Sequence, residues 1–327
     1  MFDRRRKINE KFGKVLIINT GRLGDFVSSF VFINPVKNVS DCIDIICKKA
    51  YKGIVDNEQD LRMTTAEEAV QAEYDLLLDL TSTSNTRAIS TKVKARTKIG
   101  SYRTVIHKIR SYLLGTYSYS FKSKPFNNIV KYYLPFAEAV GVKCDEAPVL
   151  RSLLDPQIGA LFDFEGRSPV IGVHVSGTDP VRQLPLGLVR EIIAYIDSIG
   201  GASVLIGDRE RAIETGLELP SVYYREESIT ELVATLSQLD YVIGPDSGVL
   251  HLAVALGTES LGIYSVNLSS VTGPPGERVR FLELDLDCRP CTNTVDCEYH
   301  IRCMNDIDFS DVKKEIDRAV NRVALIN

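Results

Sequence analysis

Tyr241-Val-Ile-Gly-Pro-Asp-Ser-Gly-Val-Leu-His251 decides the fold of this chain. An apolar run from Tyr241 to Ile243 reads as a buried strand, and Gly244-Pro245 stops it. Asp246 follows, then Ser247 as a helix N-cap, then an apolar helical run from Val249 to Leu256. The polar groups collect at the mouth of that helix. First-turn N–H groups are free there and the dipole is positive, which suits a phosphate. Gly248 removes the side chain where a ligand would approach the backbone. His251, four residues after Ser247, falls on the same helix face and is expected to point at the same ligand. The plainer reading is an ordinary capped helix with a satisfied histidine. This stretch alone favours neither.

The alternation of strand and helix continues on both sides. Before it come strand Val170–Val175, helix Leu186–Ile199 ended by Gly200-Gly201, and strand Ser203–Ile206. A short helix Arg209–Leu217, strand Val222–Tyr224 and helix Ile229–Leu239 follow; after the stretch comes strand Ser260–Tyr264. An earlier series has strand Lys14–Asn19, a helix opening at Asp25, and strands Cys42–Cys47 and Tyr74–Leu80. Asn127–Val140 reads as a helix stopped by Gly141. Thr81–Ser123 is basic, Ser/Thr-rich and weakly periodic, and is expected to form loops and short helices facing a cleft. Leu150–Ser168 reads as a connector. The pattern predicts an α/β protein with two parallel, doubly covered sheets. The expected domains are residues 1–155 and 156–327, with a last helix at 310–324 as a candidate to pack back on the first. No internal repeat is visible.

The 327 residues leave room for two domains of ordinary size. A content of 44% hydrophobic and 25% charged residues is that of a soluble globular protein. No apolar run approaches a membrane span and none opens the chain as a secretory signal would. The expectation is a reducing cytoplasm. A net charge of −4 argues against a general nucleic-acid binder. Two stretches are basic against that background. One holds Arg4, Arg5, Arg6, Lys7, Lys11 and Lys14; the other runs from Arg87 to Arg110. They read as solvated surface, with contact to anionic lipid or an anionic acceptor as the second reading.

Two more loops follow buried strands. In Asn19-Thr-Gly-Arg-Leu-Gly-Asp25, the GxxG falls short of the GxGxxG of a dinucleotide site, and Asp44 lies inside a strand. The alternative is that Gly21 and Gly24 turn the loop tightly, with Thr20 and Arg22, and present Asp25 at a helix N-terminus. The dipole there favours a negative charge, and such a carboxylate can serve as general base towards a hydroxyl. Helix capping alone is the competing role. The second loop runs from His174 to Pro185 and supplies Ser176, Gly177 and Thr178, with Arg182 within reach to neutralise a phosphate. Together with Asp246–His251 it suggests a diphosphate clamped between two strand ends.

These residues carry a resemblance. The chain resembles the heptosyltransferases of glycosyltransferase family 9, which add heptose to the lipopolysaccharide inner core. Four segments match in order: Val15–Asp25; His174–Thr178 with Arg182–Pro185; Val204–Asp208; and Gly244–His251 with Gly262-Ile-Tyr264. The resemblance spans nearly the whole chain. It implies a GT-B fold, two Rossmann-like domains with the acceptor on the first and the nucleotide-sugar donor on the second. It also implies an inverting, metal-independent transfer, usually from ADP-heptose, to a lipid-linked glycan at the inner face of the membrane. Asp25 matches the family's catalytic base. Ser176, Thr178 and Arg182 match its diphosphate contacts, and Asp246, Ser247, Gly248 and His251 its donor loop. Asp208 to Glu210 lie near where the family places an acidic contact to the nucleoside, Asp208 being the first candidate.

The chain also departs from that family. Gln183-Leu184 replaces the usual aromatic before Pro185, and Ser265-Val-Asn-Leu-Ser-Ser270 replaces a Gly-Pro-Thr-type loop, so the sugar and nucleotide stay open. The other readings are a GT-B nucleotide-sugar 2-epimerase and a catalytically silent nucleotide-sugar binder. Asp285-Leu-Asp287 and Asp306-Ile-Asp308 are read as chance DxD strings. Cys288, Cys291, Cys297 and Cys303, with His300 nearby, have a clustering that suits structural zinc or iron. Their five-residue gaps match no common zinc module, and reduced, packed thiols are the alternative. Cys42, Cys47 and Cys144 are expected in the core.

Overall fold

A computed structural model of the protein describes residues 11–122, 128–150, 163–176, 179–207, 222–224, 228–291 and 297–326, with backbone alone at 222–224 and 323–326. The chain divides into two compact units, Met1–Ser152 and Leu153–Asn327.

The first unit contains β1 (Phe12–Ile18), α1 (Leu23–Ser28), α2 (Phe30–Lys37), β2 (Ser40–Ile46), α3 (Lys52–Asn57), β3 (Leu61–Met63) and α4 (Ala66–Gln71). It continues with β4 (Glu73–Asp79), α5 (Ser84–Lys92), β5 (Lys94–Tyr102), α6 (Val105–Leu113), β6 (Tyr119–Lys122) and α7 (Ile129–Val140). All six strands pair in parallel in the order β3-β2-β1-β4-β5-β6. Leu16, Ile17, Ile18, Leu76, Leu77 and Leu78 are fully buried. Continuous apolar runs of this kind belong to strands covered on both faces. Gly141 ends α7 in the left-handed region, at φ 87°, as a helix stop requires.

The second unit contains β7 (Val170–His174), α8 (Leu186–Ser198), β8 (Ala202–Ile206), β9 (Val222–Tyr224), α9 (Ile229–Ser237) and β10 (Tyr241–Pro245). Then come α10 (Gly248–Leu256), β11 (Glu259–Tyr264), α11 (Ser269–Thr272), β12 (Val279–Glu283), α12 (Arg302–Asn305) and α13 (Phe309–Ile326). The order β12-β11-β10-β7-β8-β9 is again all parallel. Counted from each unit's first strand, both sheets are 3-2-1-4-5-6, the Rossmann order. The two units therefore share one topology without a sequence repeat. In each, the strand order reverses between the first and fourth strands, β1/β4 and β7/β10. Ligands in such sheets bind outside the carboxyl ends of those strands.

Several expectations need correction. Thr81–Ser123 holds the expected short helices α5 and α6 but also β5, a nine-residue strand paired with β4 and β6. Its Lys, Arg and Thr residues lie partly exposed, and only Ile99, Gly100 and Ser101 are buried in a row, so no apolar alternation marks it. α5 is equally polar and is started by a capping box between Thr83 and Thr86. β10 runs through Pro245, opposite Ile263 of β11, rather than stopping before it. Cys42 is exposed near the start of β2, whereas Cys144 is buried and Cys47 half-buried. The expected helix Arg209–Leu217 and most of the connector lie outside the described residues.

The last helix, α13, is amphipathic and enters the core of the second unit. Val312 and Ile316 are fully buried among Ile192, Ile196, Ile243 and Leu261. Tyr195 of α8 hydrogen-bonds Asp317 and stacks edge-on with Phe309. Its outer face is laced by Lys313–Asp317 and Arg318–Glu315 pairs of the i,i+4 and i,i+3 kind. Ile316→Ala should cost about 2–5 kcal/mol by leaving a cavity that the sheet cannot fill. A chemical-denaturation midpoint unchanged by that substitution would show that α13 is not part of the unit's core.

Candidate functional site

The β7/β10 switch point gathers the polar residues of the second unit. Ser247 caps α10, with backbone φ −150° and its Oγ accepting the Leu250 N–H at 3.3 Å. The same Oγ lies 3.1 Å from His174 Nδ1, at the end of β7. His174 is 5% exposed, and burial pushes its pKa down to about 4, so the ring is neutral near pH 7. Gly244 lets the two strands close up here, since a Cβ at that residue would stand 3.0 Å from His174 Cβ. His174 thus positions the helix mouth, a role that sequence reading missed although His174 begins the loop it singled out.

Ser176 is 7% exposed, one turn of chain beyond β7. Gly207 lies against it at φ 130°, and a Cβ there would collide with Ser176 Oγ. The loop after β8 must therefore be glycine for the loop after β7 to sit as it does. Gly177, Thr178 and Asp208, the remaining candidates on these loops, lie outside the described residues. Gly248 is the first residue of α10, half-buried at its mouth. His251 is 4% exposed, on the same helix as Ser247. It stands one turn into α10, whose remaining residues to Ala255 are packed.

Arg182 is not a lone cation. Its Nη1 reaches Asp246 Oδ2 at 3.3 Å and its Nε stands 3.7 Å from Asp179 Oδ2. Asp246 Oδ2 also accepts from Asn267 Nδ2 at 2.6 Å and Thr272 Oγ1 at 3.4 Å. Ser265 Oγ donates to Val181 O at 2.9 Å. Asn267 and Ser265 belong to the segment that departs from the family pattern. The structure ties that segment directly to Arg182 and Asp246. Its signal in the sequence was the departure itself, but nothing there named Asp246 as the group it binds.

In the first unit, side chains hold the backbone of the loop after β1. Asn19 Oδ1 accepts the Gly21 N–H at 3.2 Å, Thr81 Oγ1 the Thr20 N–H at 2.9 Å, and Gly21 O accepts from Tyr51 Oη at 3.2 Å. A Cβ at Gly21 would stand 3.0 Å from Asp25 Cβ. Gly24 is half-buried in the first turn of α1. Asp25 is the third residue of α1, exposed, with Oδ2 accepting the Arg22 N–H at 3.3 Å. Tyr133 Oη donates to Asp25 O at 3.0 Å and so fixes its backbone. The carboxylate caps the helix and faces solvent at once.

Asp79, at the end of β4, went unnoticed in the sequence. It is fully buried, and burial raises its pKa. Its oxygens accept from Ser82 N at 2.7 Å, Thr81 N at 3.2 Å, Tyr117 Oη at 2.6 Å and Ser90 Oγ at 3.3 Å. Through Thr81, this carboxylate shapes the loop that holds Thr20. Asp79 is a positioning residue, and its only sequence signal was an acid closing the apolar run Tyr74–Leu80.

Cys288, Cys291, Cys297 and Cys303 line one pocket of about 180 Å³ with Val181, Val266 and Arg289. Cys288 is exposed, Cys303 is buried, and Cys297 Sγ accepts the Ile301 N–H at 3.3 Å. Among the described residues no three His, Cys, Asp or Glu side chains are placed to hold a metal ion. The four thiols share that pocket.

A family model, glycosyltransferase family 9 (heptosyltransferase), matches residues 63–301. A search of curated proteins finds no match. Among solved structures, the Escherichia coli heptosyltransferase WaaC with ADP superposes with a TM-score of 0.77 at 14% identity, covering 94% of this chain and 99% of that one. The E. coli ADP-heptose lipopolysaccharide heptosyltransferase II gives 0.76 at 14% identity, covering 95% and 99%. The iron-containing dodecameric heptosyltransferase TibC, in complex with ADP-D-β-D-heptose, gives 0.62 at 13% identity, covering 96% and 79%. The architecture common to the first two is the two-sheet GT-B fold described above.

Two expected outcomes test the positioning residues. Between about pH 6.5 and the folded-state value of about 4, the unfolded chain holds a proton on His174 that the folded protein does not. Stability should therefore fall as the pH drops through that window, and His174→Asn should flatten the slope there. Parallel urea-midpoint curves for the two proteins would assign the slope to other groups. Asp79→Ala strips buried donors of their acceptor, at about 1–3 kcal/mol for each donor left unsatisfied. The melting temperature should drop by several degrees, and an unchanged value would refute the role given to Asp79.

Proposed function

We propose, from the premise that this chain belongs to glycosyltransferase family 9, that it moves a heptose from ADP-heptose to a lipid-linked surface glycan. It is a glycosyltransferase of GT-B fold; the donor and acceptor are our reading. The observation that carries it is the β7/β10 switch point, where Asp246 and Ser247 stand at the mouth of α10 beside Ser176 and Arg182. The ADP bound by WaaC and the ADP-heptose in the name of heptosyltransferase II support an adenine nucleotide here.

In this reading the second unit holds the donor diphosphate. The free N–H groups at the start of α10 and the Arg182 guanidinium meet the charge that develops as the diphosphate leaves. Arg182 is held in place by Asp246 and Asp179, so its fork arrives pre-oriented rather than searching from solvent. Asp25 takes the proton of the acceptor hydroxyl. The freed oxygen forms the new bond at the anomeric carbon, the bond to the diphosphate oxygen breaks, and the nucleoside diphosphate departs with that electron pair. Inversion follows from attack opposite the leaving group. Fixed hydrogen-bond donors carry out this stabilisation with the chain's own groups. A lipid-linked acceptor sets the work at the cytoplasmic membrane surface. Among the described residues no helix is long and apolar enough to cross a membrane.

Asp25→Ala should lower transfer by about 10²–10⁴-fold, while the ADP dissociation constant from calorimetry changes little. Turnover that survives the substitution would remove Asp25 from the role of base. In a thermal-shift panel of ADP, UDP, GDP, CMP and dTDP, ADP alone should raise the melting temperature, because a ligand that binds only the folded state stabilises it by mass action. A shift with UDP or GDP instead would keep the transferase and discard the heptose donor.

A further inference from the structure

α6 is an amphipathic helix turned inside out. Val105, Ile106, Ile109, Tyr112 and Leu113 are 53–75% exposed, and Leu114 beyond the helix end is exposed as well. Ser111 is buried and His107 half-buried, so the polar side faces the protein. At 100° per residue the five exposed apolar residues of the helix fall in an arc of roughly 120°. Lys108 lies just beyond one edge of that arc and Arg110 just beyond the other, both exposed. Thr104 caps the helix, its Oγ1 accepting the His107 N–H at 3.3 Å, so the element is a defined helix with a defined outward face.

The surrounding sequence has one sign of charge. From Leu80 to Ala137 there is no Asp or Glu and there are eleven Lys or Arg residues, in a chain whose net charge is −4. Arg103 precedes the helix and is exposed. An apolar stripe edged by cations, on a helix lying along a surface, is the arrangement that seats at the headgroup boundary of an anionic bilayer. The stems of Lys108 and Arg110 can lie along the apolar layer while their charges stay among the headgroups.

We propose that the outward face of α6 docks the protein on an anionic lipid bilayer. The charge pattern selects this occupant over a second copy of the chain. A two-fold contact would set each patch against itself, with Lys108 and Arg110 meeting their own kind. Docking also has a geometric consequence within the first unit. α6 starts at the carboxyl edge of β5, and β1, whose carboxyl end carries the Asn19–Asp25 loop, lies two strands away in the sheet, about 10 Å. A bilayer under α6 keeps that loop close to the lipid surface. The docking rests on exposure and charge alone, independently of the donor and acceptor assigned above.

The test is flotation of the purified full chain with phosphatidylcholine vesicles, with and without phosphatidylglycerol, in the absence of donor and acceptor. Wild-type protein should float with the mixed vesicles and much less with phosphatidylcholine alone, and binding should weaken with salt. Ile106→Ser with Leu113→Ser should reduce binding about tenfold or more, and Lys108→Glu with Arg110→Glu should erase the preference for anionic lipid. All four side chains are exposed, so both variants should keep the wild-type melting temperature. Failure of wild-type protein to bind mixed vesicles would overturn the proposal, as would equal binding by folded variants. A dimer in sedimentation velocity that is lost in the Ile106→Ser/Leu113→Ser variant would overturn it in favour of a protein interface. None of these readouts uses transfer activity, so a failed donor assignment would leave them intact.

Discussion

The Asp246 carboxylate closes a strand, and three separate segments come to it. Arg182 arrives from the loop after β7, Asn267 from the turn after β11, and Thr272 from α11. With only 9% of its side chain exposed, Asp246 would be costly to hold as a charge without partners. The need to partner it therefore fixes the path of all three segments. Ser265 adds a second tie from the same turn to the backbone at Val181. The loop after β7 and the segment after β11 are tied together by one carboxylate and the groups it needs.

The first unit solves a related problem without a cation. Four uncharged donors surround Asp79, and the buried carboxylate organises the turn from Thr81 to Ser82. In both units a carboxylate at the end of the fourth strand arranges the loop that faces the end of the first. The two sheets share strand order and this device while their sequences show no repeat. A topology set by apolar patterning and strand-end chemistry can persist when residue identities do not. The 14% identity to WaaC over 94% of the chain is the same phenomenon between proteins.

Much of this was legible in the residues. Tyr241–His251 carries every local signal of strand, turn and capped helix, and the structure has them in that order. The loops after β1 and β7 were found because glycine and small hydroxyl residues follow apolar runs. What escaped detection has physical reasons. β5 is a strand whose exposed positions are Lys, Arg and Thr, so period-two reasoning has too few apolar points to register. His174 and Asn267 act by long-range pairing, and no window of sequence shows a partner 73 residues away, as Ser247 is from His174. Cys42 was placed in the core from its strand, but the continuous buried run of β2 starts at Ile43.

Gly207 occupies backbone that residues with side chains rarely adopt, and the room a Cβ would need is already taken by Ser176. Replacement there fails for two unrelated reasons. Ser176→Ala would remove the 2.3 Å clash with Oγ, but the 2.7 Å clash with Cβ and the dihedral strain would both remain. No single compensating change restores both, so the route by which drift usually passes through neutral intermediates is closed at this pair. The strand around it can exchange one apolar residue for another, whereas Gly207 is held by geometry. A lineage carrying this fold would be expected to vary at Val204 and Leu205 long before it varies two residues on.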